Sequence, residues 1–177
     1  LQALDGDVIC KANLTAGETA DFVLTGADEE PMDLADVAGF EDATIQYWQD
    51  WAAQSSYRGR WREIVTRSAL TLKLMTSRRH GSIIAAGTFG LPEAPGGVRN
   101  WDYRATWIRD ASFTVYALMR LGYQQEAQDF TSWIGKRAMR CGANGKLDIM
   151  YAVDGSTVAD EVSLDHLSGY GGARPVR

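Results

Sequence analysis

The sequence predicts a mainly helical fold entered from a short stretch of β structure, and three observations carry that expectation. From residue 43 onward, apolar residues recur at intervals of three and four over several long stretches, the spacing of one helix face. Before residue 26 they fall in short runs split by the turn-like Thr15-Ala16-Gly17-Glu18, as in paired strands. Between these regions, residues 27–42 are acidic and interrupted by Pro31 and Gly39, the composition of a connector.

The elements follow in order. Val8 and Cys10, then Phe22-Val23-Leu24, are expected to form a hairpin within residues 5–25. Two strands alone are marginal in water, so this remnant should pack on the helical part or belong to a larger sheet. The first helix should begin at Ala43, place Ile45, Trp48 and Ala52 on one face, and end near Gly59. A second runs from Arg60 to Ser77 through Trp61, Ile64, Val65, Ala69, Leu72 and Met75. Arg78, Arg79 and Gly81 suit its carboxyl end, where cations complement the dipole and glycine accepts a left-handed cap.

A short apolar run, Ser82 to Ala86, leads into a loop rich in glycine and proline up to Gly97; long irregular segments of this kind are usually functional or disordered. The third helix follows Asp110, presents Phe113, Tyr116, Ala117, Met119 and Leu121 as its apolar face, and stops at Gly122. A fourth, Glu126 to Met139, turns Ala127, Phe130, Trp133 and Ile134 to one side. Leu147 to Tyr151 reads as extended, with a turn at Asp154-Gly155. A helical bundle, barrel or solenoid would each accommodate this order, and no internal repeat decides among them.

Composition excludes several functions. The 177 residues are 45% hydrophobic and 23% charged, as in a globular domain. With 18 basic against 23 acidic residues and a net charge of -5, the surface has no broad attraction for nucleic acid or anionic lipid, and a neutral ligand suits it better. No apolar run approaches the roughly 18 residues of a membrane span. The opening residues carry Asp5 and Asp7 where a signal peptide has a basic flank, so the sequon at Asn13 is not expected to be used. Cys10 and Cys141 have neither zinc-site nor redox-pair spacing and read as free thiols, which points to the cytoplasm. His80 and His166 lie far apart without a third ligand type, and Gly96-Gly97 precede no motif lysine. No metal and no cofactor is expected.

The chemistry concentrates in Asn100 to Asp110, which holds Trp101, Trp107, Tyr103, Arg104, Arg109, Asp102 and Asp110. Sugar recognition uses this mixture: ring faces cover the C–H faces of a pyranose, while guanidinium and carboxylate groups make paired hydrogen bonds to adjacent hydroxyls. The structural alternative makes Trp101 and Trp107 core anchors and Arg109–Asp110 an ion pair. Residue types alone leave both open.

The run from Gly97-Val98-Arg99 through Asn100-Trp101-Asp102-Tyr103-Arg104-Ala105-Thr106-Trp107-Ile108-Arg109-Asp110 to Thr114 resembles a signature of bacterial glycoside hydrolases of family 15, the glucoamylase and trehalase-like enzymes. The resemblance extends back to Tyr57-Arg58-Gly59-Arg60-Trp61-Arg62-Glu63, Arg67-Ser68-Ala69-Leu70 and Leu91-Pro92-Glu93. It extends forward to Ile149-Met150-Tyr151, Leu164-Asp165-His166-Leu167, Gly169-Tyr170 and Arg174-Pro175-Val176-Arg177.

The resemblance implies a partial (α/α)6 barrel, an incomplete toroid, at residues 43–177. Residues 1–26 would be the end of a β-sandwich-like domain, and 27–42 a linker. It implies that Tyr103, Trp107, Arg109 and Asp110 line the subsite for a terminal glucosyl unit, with Arg109 and Asp110 gripping its hydroxyls. Arg174 matches a further pocket arginine, and Tyr170 lies where an aromatic residue borders the neighbouring sugar. The implied chemistry is inversion by two glutamates, one protonating the leaving oxygen and one activating water. Both lie later in the family pattern than Arg177, so no catalytic residue is assigned here.

Phe89 and Gly90 depart from small hydroxyl residues common in the pattern, and Gly171 from an arginine. The substrate expected is an α-glucoside or trehalose, and the chain by itself should be inactive and self-associate. A non-catalytic carbohydrate-binding or helical interaction module, and a purely structural helical domain, are the alternatives.

Overall fold

The computed structural model describes residues 2–4, 7–26, 33, 36–141 and 145–177. The chain divides into two compact units, Leu1–Gln49 and Asp50–Arg177. The fold is mainly helical with a small strand remnant, in keeping with a partial helical barrel: α1 (Val37–Ala53), α2 (Arg62–Leu74), α3 (Ile108–Arg120) and α4 (Gln125–Ala138) account for most of its regular structure.

In the first unit β1 (Gln2–Leu4) pairs antiparallel with β2 (Asp7–Ile9), with Gln2 opposite Ile9 and Leu4 opposite Asp7. This corrects the expected hairpin, since Phe22-Val23-Leu24 forms no strand. The register leaves two residues between the strands, Asp5-Gly6 by sequence, the composition that favours the tightest hairpin loops. The conformation of Asp5 and Gly6 lies outside the described residues. The turn at Thr15–Glu18 does form: the Glu18 amide donates to Thr15 O at 3.0 Å and the Thr15 amide to Glu18 Oε2 at 2.9 Å. It connects no strands.

The first helix starts at Val37, six residues before the expected Ala43, with Gly39 inside it. A helical glycine costs about 1 kcal/mol relative to alanine, too little to stop a helix of 17 residues. Much of the connector read at residues 27–42, namely 27–32 and 34–35, lies outside the described residues.

In the second unit β3 (Thr106–Trp107) pairs antiparallel with β4 (Met150–Tyr151), placing Thr106 opposite Tyr151 and Trp107 opposite Met150. The apolar core has two centres. One gathers Trp51, Ala69, Leu118 and Tyr123, with Trp51 and Tyr123 stacked at 3.9 Å and 6°. The other gathers Ile83, Ala111, Phe130, Trp133 and Tyr151, in which the Trp133 and Tyr151 rings meet edge to face at 5.9 Å.

The inward face of α3 is not the expected one. Ala111 and Leu118 are buried and Ile108 and Val115 pack against the core, whereas Phe113 is 71% and Tyr116 64% exposed. Positions 108, 111, 115 and 118 also keep the helical spacing, and the small Ala111 lets the helix close on Phe130 and Trp133 of α4. Phe113, Tyr116 and Met119 are instead exposed.

Two buried charged groups hold the helices. Glu126 Oε1 accepts from Trp51 Nε1 at 2.8 Å and Lys73 Nζ at 2.7 Å, joining α1, α2 and α4. Arg137 donates through Nη1 to Trp133 O at 2.7 Å and through Nη2 to Asp154 O at 2.5 Å, which ties the turn after β4 to α4. No helix among the described residues is long and apolar enough to cross a membrane.

Candidate functional site

The polar-aromatic run is held from both sides by backbone hydrogen bonds. The Ala85 amide donates to Ala105 O, the Ala86 amide to Tyr103 O and the Tyr103 amide to Thr88 O, at 3.0, 3.0 and 3.2 Å. The following residues pair with β4, and the Ile108 amide donates to Ile149 O at 3.2 Å. Thr106 and Asn100 are fully buried and anchor the run, so the intervening aromatic and charged groups are placed by a framework shared with the core.

Tyr103 and Trp107, both partly buried, have ring centroids 5.9 Å apart at 41°, two apolar faces side by side. Trp107 is the residue before α3, and Arg109 and Asp110 occupy its first turn. Arg109 Nη2 lies 3.1 Å from both Asp110 oxygens, and the pair is open to solvent, with side chains 77% and 41% exposed. An exposed pair of this kind adds little stability, so its groups are available to exchange partners with a ligand. The carboxylate also sits where the helix dipole favours negative charge.

The remaining expected site residues lie in the chain's last stretch. Tyr170 opens a single 3-10 turn, Tyr170–Gly172, in which Gly171 takes a φ of 61°. It lines a cavity of about 330 Å3 with Phe89, Leu91, Leu167 and Val176. The Tyr170 amide donates to Gly90 O at 3.4 Å, fastening this turn to the loop that precedes the polar-aromatic run. Arg174 is exposed and donates to Asp165 O at 3.1 Å. The structure thus brings Tyr103 to Trp107 and Arg109 to Asp110, puts Tyr170 in the cavity wall, and turns Arg174 to a backbone carbonyl.

Four side chains not counted among the site residues complete the surroundings. Asp102 clamps Arg104 with both oxygens, at 2.9 and 2.8 Å, and the Arg104 guanidinium lies 4.4 Å over the Phe89 ring. The hydrogen bonds from Arg104 hold the Asp102 carboxyl below its ordinary range against the opposing effect of burial. Glu93 accepts from the Tyr103 phenol at 2.9 Å, and that bond holds its carboxyl low as well. Among the described residues no cluster of three His, Cys, Asp or Glu side chains could hold a metal ion.

The model of the glycosyl hydrolases family 15 matches residues 59–177, which include the whole polar-aromatic run, the cavity wall and Arg174. A trehalase of Mycolicibacterium smegmatis is 38% identical over 170 residues, 94% of this chain and 25% of that protein. Trehalases of Mycobacterium tuberculosis and Thermoplasma volcanium are 44% and 42% identical, each over 76% of this chain and about a fifth of their own length. No solved structure matches the chain. The chain spans at most about a quarter of these trehalases, 20% to 25% of their length. The match over residues 59–177, with relatives of this identity, shows that the chain belongs to the glycosyl hydrolases of family 15.

Proposed function

We propose that this chain holds the terminal glucosyl unit of an α-glucoside, with trehalose the leading substrate, in an inverting glycoside hydrolase. The observation that carries the reading is the Tyr103–Trp107 ring pair beside the solvent-open Arg109–Asp110 pair, inside the segment matched by the family. In this reading the rings cover a pyranose face, Arg109 donates to its hydroxyl oxygens and Asp110 accepts from neighbouring hydroxyls. Tyr170 borders the next sugar, and Arg174 leaves its contact with Asp165 O to reach the ligand.

Inversion needs a general acid of raised pKa and a general base, with carboxyls about 6.5–9.5 Å apart to admit water. Asp102 and Glu93 are unsuited to be that acid, because their hydrogen bonds hold them ionised. In this reading, as the family resemblance implies, both catalytic carboxylates lie outside these 177 residues. It keeps residues 1–26 as β remnant and shortens the linker expected at 27–42, which ends before Val37, where the first helix begins. A cytoplasmic setting suits the free Cys10 and Cys141. Self-association of the isolated chain would follow from the exposed Phe113, Tyr116 and Met119 of α3.

The test is glucose release by the full-length protein from trehalose and from maltooligosaccharides, with the anomers followed by proton NMR. Early products of trehalose should be α- and β-glucose in equal amounts, since inversion occurs at only one of the two anomeric carbons. α-Glucose alone would mean retention, and no release from any of these sugars would remove the hydrolase reading.

A further inference from the structure

We infer that Glu93 is a positioning residue for Tyr103: its carboxylate accepts the hydrogen bond that the phenol donates, fixes the ring beside Trp107, and leaves the phenol oxygen able only to accept from a ligand. The inference rests on the reading that Tyr103 lines the glucosyl subsite.

The geometry begins with the loop on which Glu93 stands. The Glu93 amide donates to Arg99 O at 3.1 Å, the Gly97 amide to Ala94 O at 2.9 Å, and Asn100 Nδ2 to Gly97 O at 3.2 Å. Asn100 is fully buried, so this small closed loop is pinned to the core at its far end. From it the Glu93 side chain spans to the polar-aromatic run, placing Oε1 2.9 Å from the Tyr103 hydroxyl, while Oε2 accepts from Arg99 Nη1 at 3.4 Å. The Tyr103 backbone is fixed by the hydrogen bond its amide donates to Thr88 O, which leaves the far end of the ring to be oriented by its hydroxyl.

A phenol has one proton to donate and two lone pairs with which to accept. An ionised carboxylate is acceptor-only, so it commits that single proton. Glu93 is held low by this bond, whereas burial, then the bond to Glu93, push the Tyr103 phenol up. The two groups therefore keep their donor and acceptor roles across the neutral range. Towards a ligand, Tyr103 becomes an acceptor with an apolar face. That suits a polyol hydroxyl, which donates, and disfavours a carboxylate or phosphate oxygen, which has no proton to give. Glu93 thus selects for a neutral sugar through Tyr103 without touching it.

The experiment uses the full-length protein labelled at tyrosine 13Cζ, with the Tyr103 resonance assigned by Tyr103→Phe. Glu93→Ala should shift that resonance in the ligand-free protein, and Glu93→Gln, which keeps an uncharged acceptor, should shift it less. In trehalose kinetics Glu93→Ala should raise KM by about tenfold, the scale of one charge-assisted hydrogen bond, with the loss falling chiefly on KM. Glu93→Gln should recover most of this, and Glu93→Ala should cost nothing further once Tyr103→Phe is present. An unmoved Tyr103 resonance, or an equal Glu93→Ala loss in both backgrounds, would overturn the assignment. A resonance that shifts in a protein neither binding nor cleaving trehalose would instead sink the substrate reading and leave the positioning role standing.

Discussion

Lys73→Met is expected to lower the unfolding free energy by about 3 kcal/mol, the lower end of the cost of breaking a buried ion pair by removing one partner. The Glu126 side chain is 3% exposed and keeps its bond from Trp51 Nε1 but loses its cation, so the variant leaves a buried carboxylate without a countercharge. The effect should depend on pH in a defined sense. Burial alone pushes the Glu126 carboxyl up, but the hydrogen bonds from Lys73 and Trp51 outweigh it and hold the group below its ordinary 4.5. In the wild type its contribution is therefore present above about pH 4.5 and lost as pH falls through the lower folded value. Without Lys73 the balance shifts towards burial, and protonation removes the uncompensated charge. Denaturant melts of the full-length protein from pH 7 to pH 4 should show the gap between variant and wild type narrowing on acidification. A gap below about 1 kcal/mol at pH 7, the scale of an exposed pair, would show that the pair is solvated.

Asp110→Ala should reduce kcat/KM for trehalose on the order of a hundredfold to a thousandfold, and Arg109→Ala comparably, if their contacts to sugar hydroxyls strengthen in the transition state. The structure makes this a clean measurement. Both side chains are solvent-open, and their mutual contact is worth little to folding, so the variants should melt within a few degrees of the wild type. The helix dipole adds only about 0.3–1 kcal/mol to the Asp110 contribution. Wild-type kinetics in both variants would reduce the pair to a surface ion pair. Comparable losses in activity and stability would make it a structural one.

The helices were legible in the sequence because apolar spacing reports them directly, whereas their ends were read less well: α1 begins six residues before Ala43 and stops at Ala53, and α2 runs from Arg62 to Leu74 rather than from Arg60 to Ser77. Gly122 adopts a φ of 102° just past the end of α3, where a stop is expected, whereas Gly81, with a φ of 81°, lies seven residues beyond the end of α2 and does not cap it. A side chain at Gly81 would meet the Asp129 backbone at 2.7 Å, so the position needs glycine for space as well as conformation. What the sequence concealed is which face turns inward. Large residues such as Phe113 and Tyr116 outweigh Ala111 in any hydrophobic reading, yet close approach of α3 to α4 requires the small one. Glu126 and Arg137 were hidden for a related reason. A charged residue on a helix reads as solvated until its partners are known, and Glu126 finds Lys73 and Trp51 53 and 75 residues away.

The same division holds at the site. Tyr103, Trp107, Arg109 and Asp110 announce themselves because they are contiguous, and contiguity is a property of sequence. Glu93 reads as a turn or surface carboxylate, since the loop that returns it to the Tyr103 phenol closes only through backbone bonds between residues 93 and 99. Phe89 stands out in the sequence only by its residue type, while its guanidinium cover and its place in the cavity wall belong to the fold.

The central claim is that these residues bind a glucosyl unit while the acid and base lie elsewhere, and glucose release from trehalose by the 177-residue chain, assayed beside the full-length protein, tests it most directly. Release by the full-length protein and none above background by the chain alone is the expected result. Sustained turnover by the chain alone would contradict it and would require that the acid and base be found among the carboxylates described above.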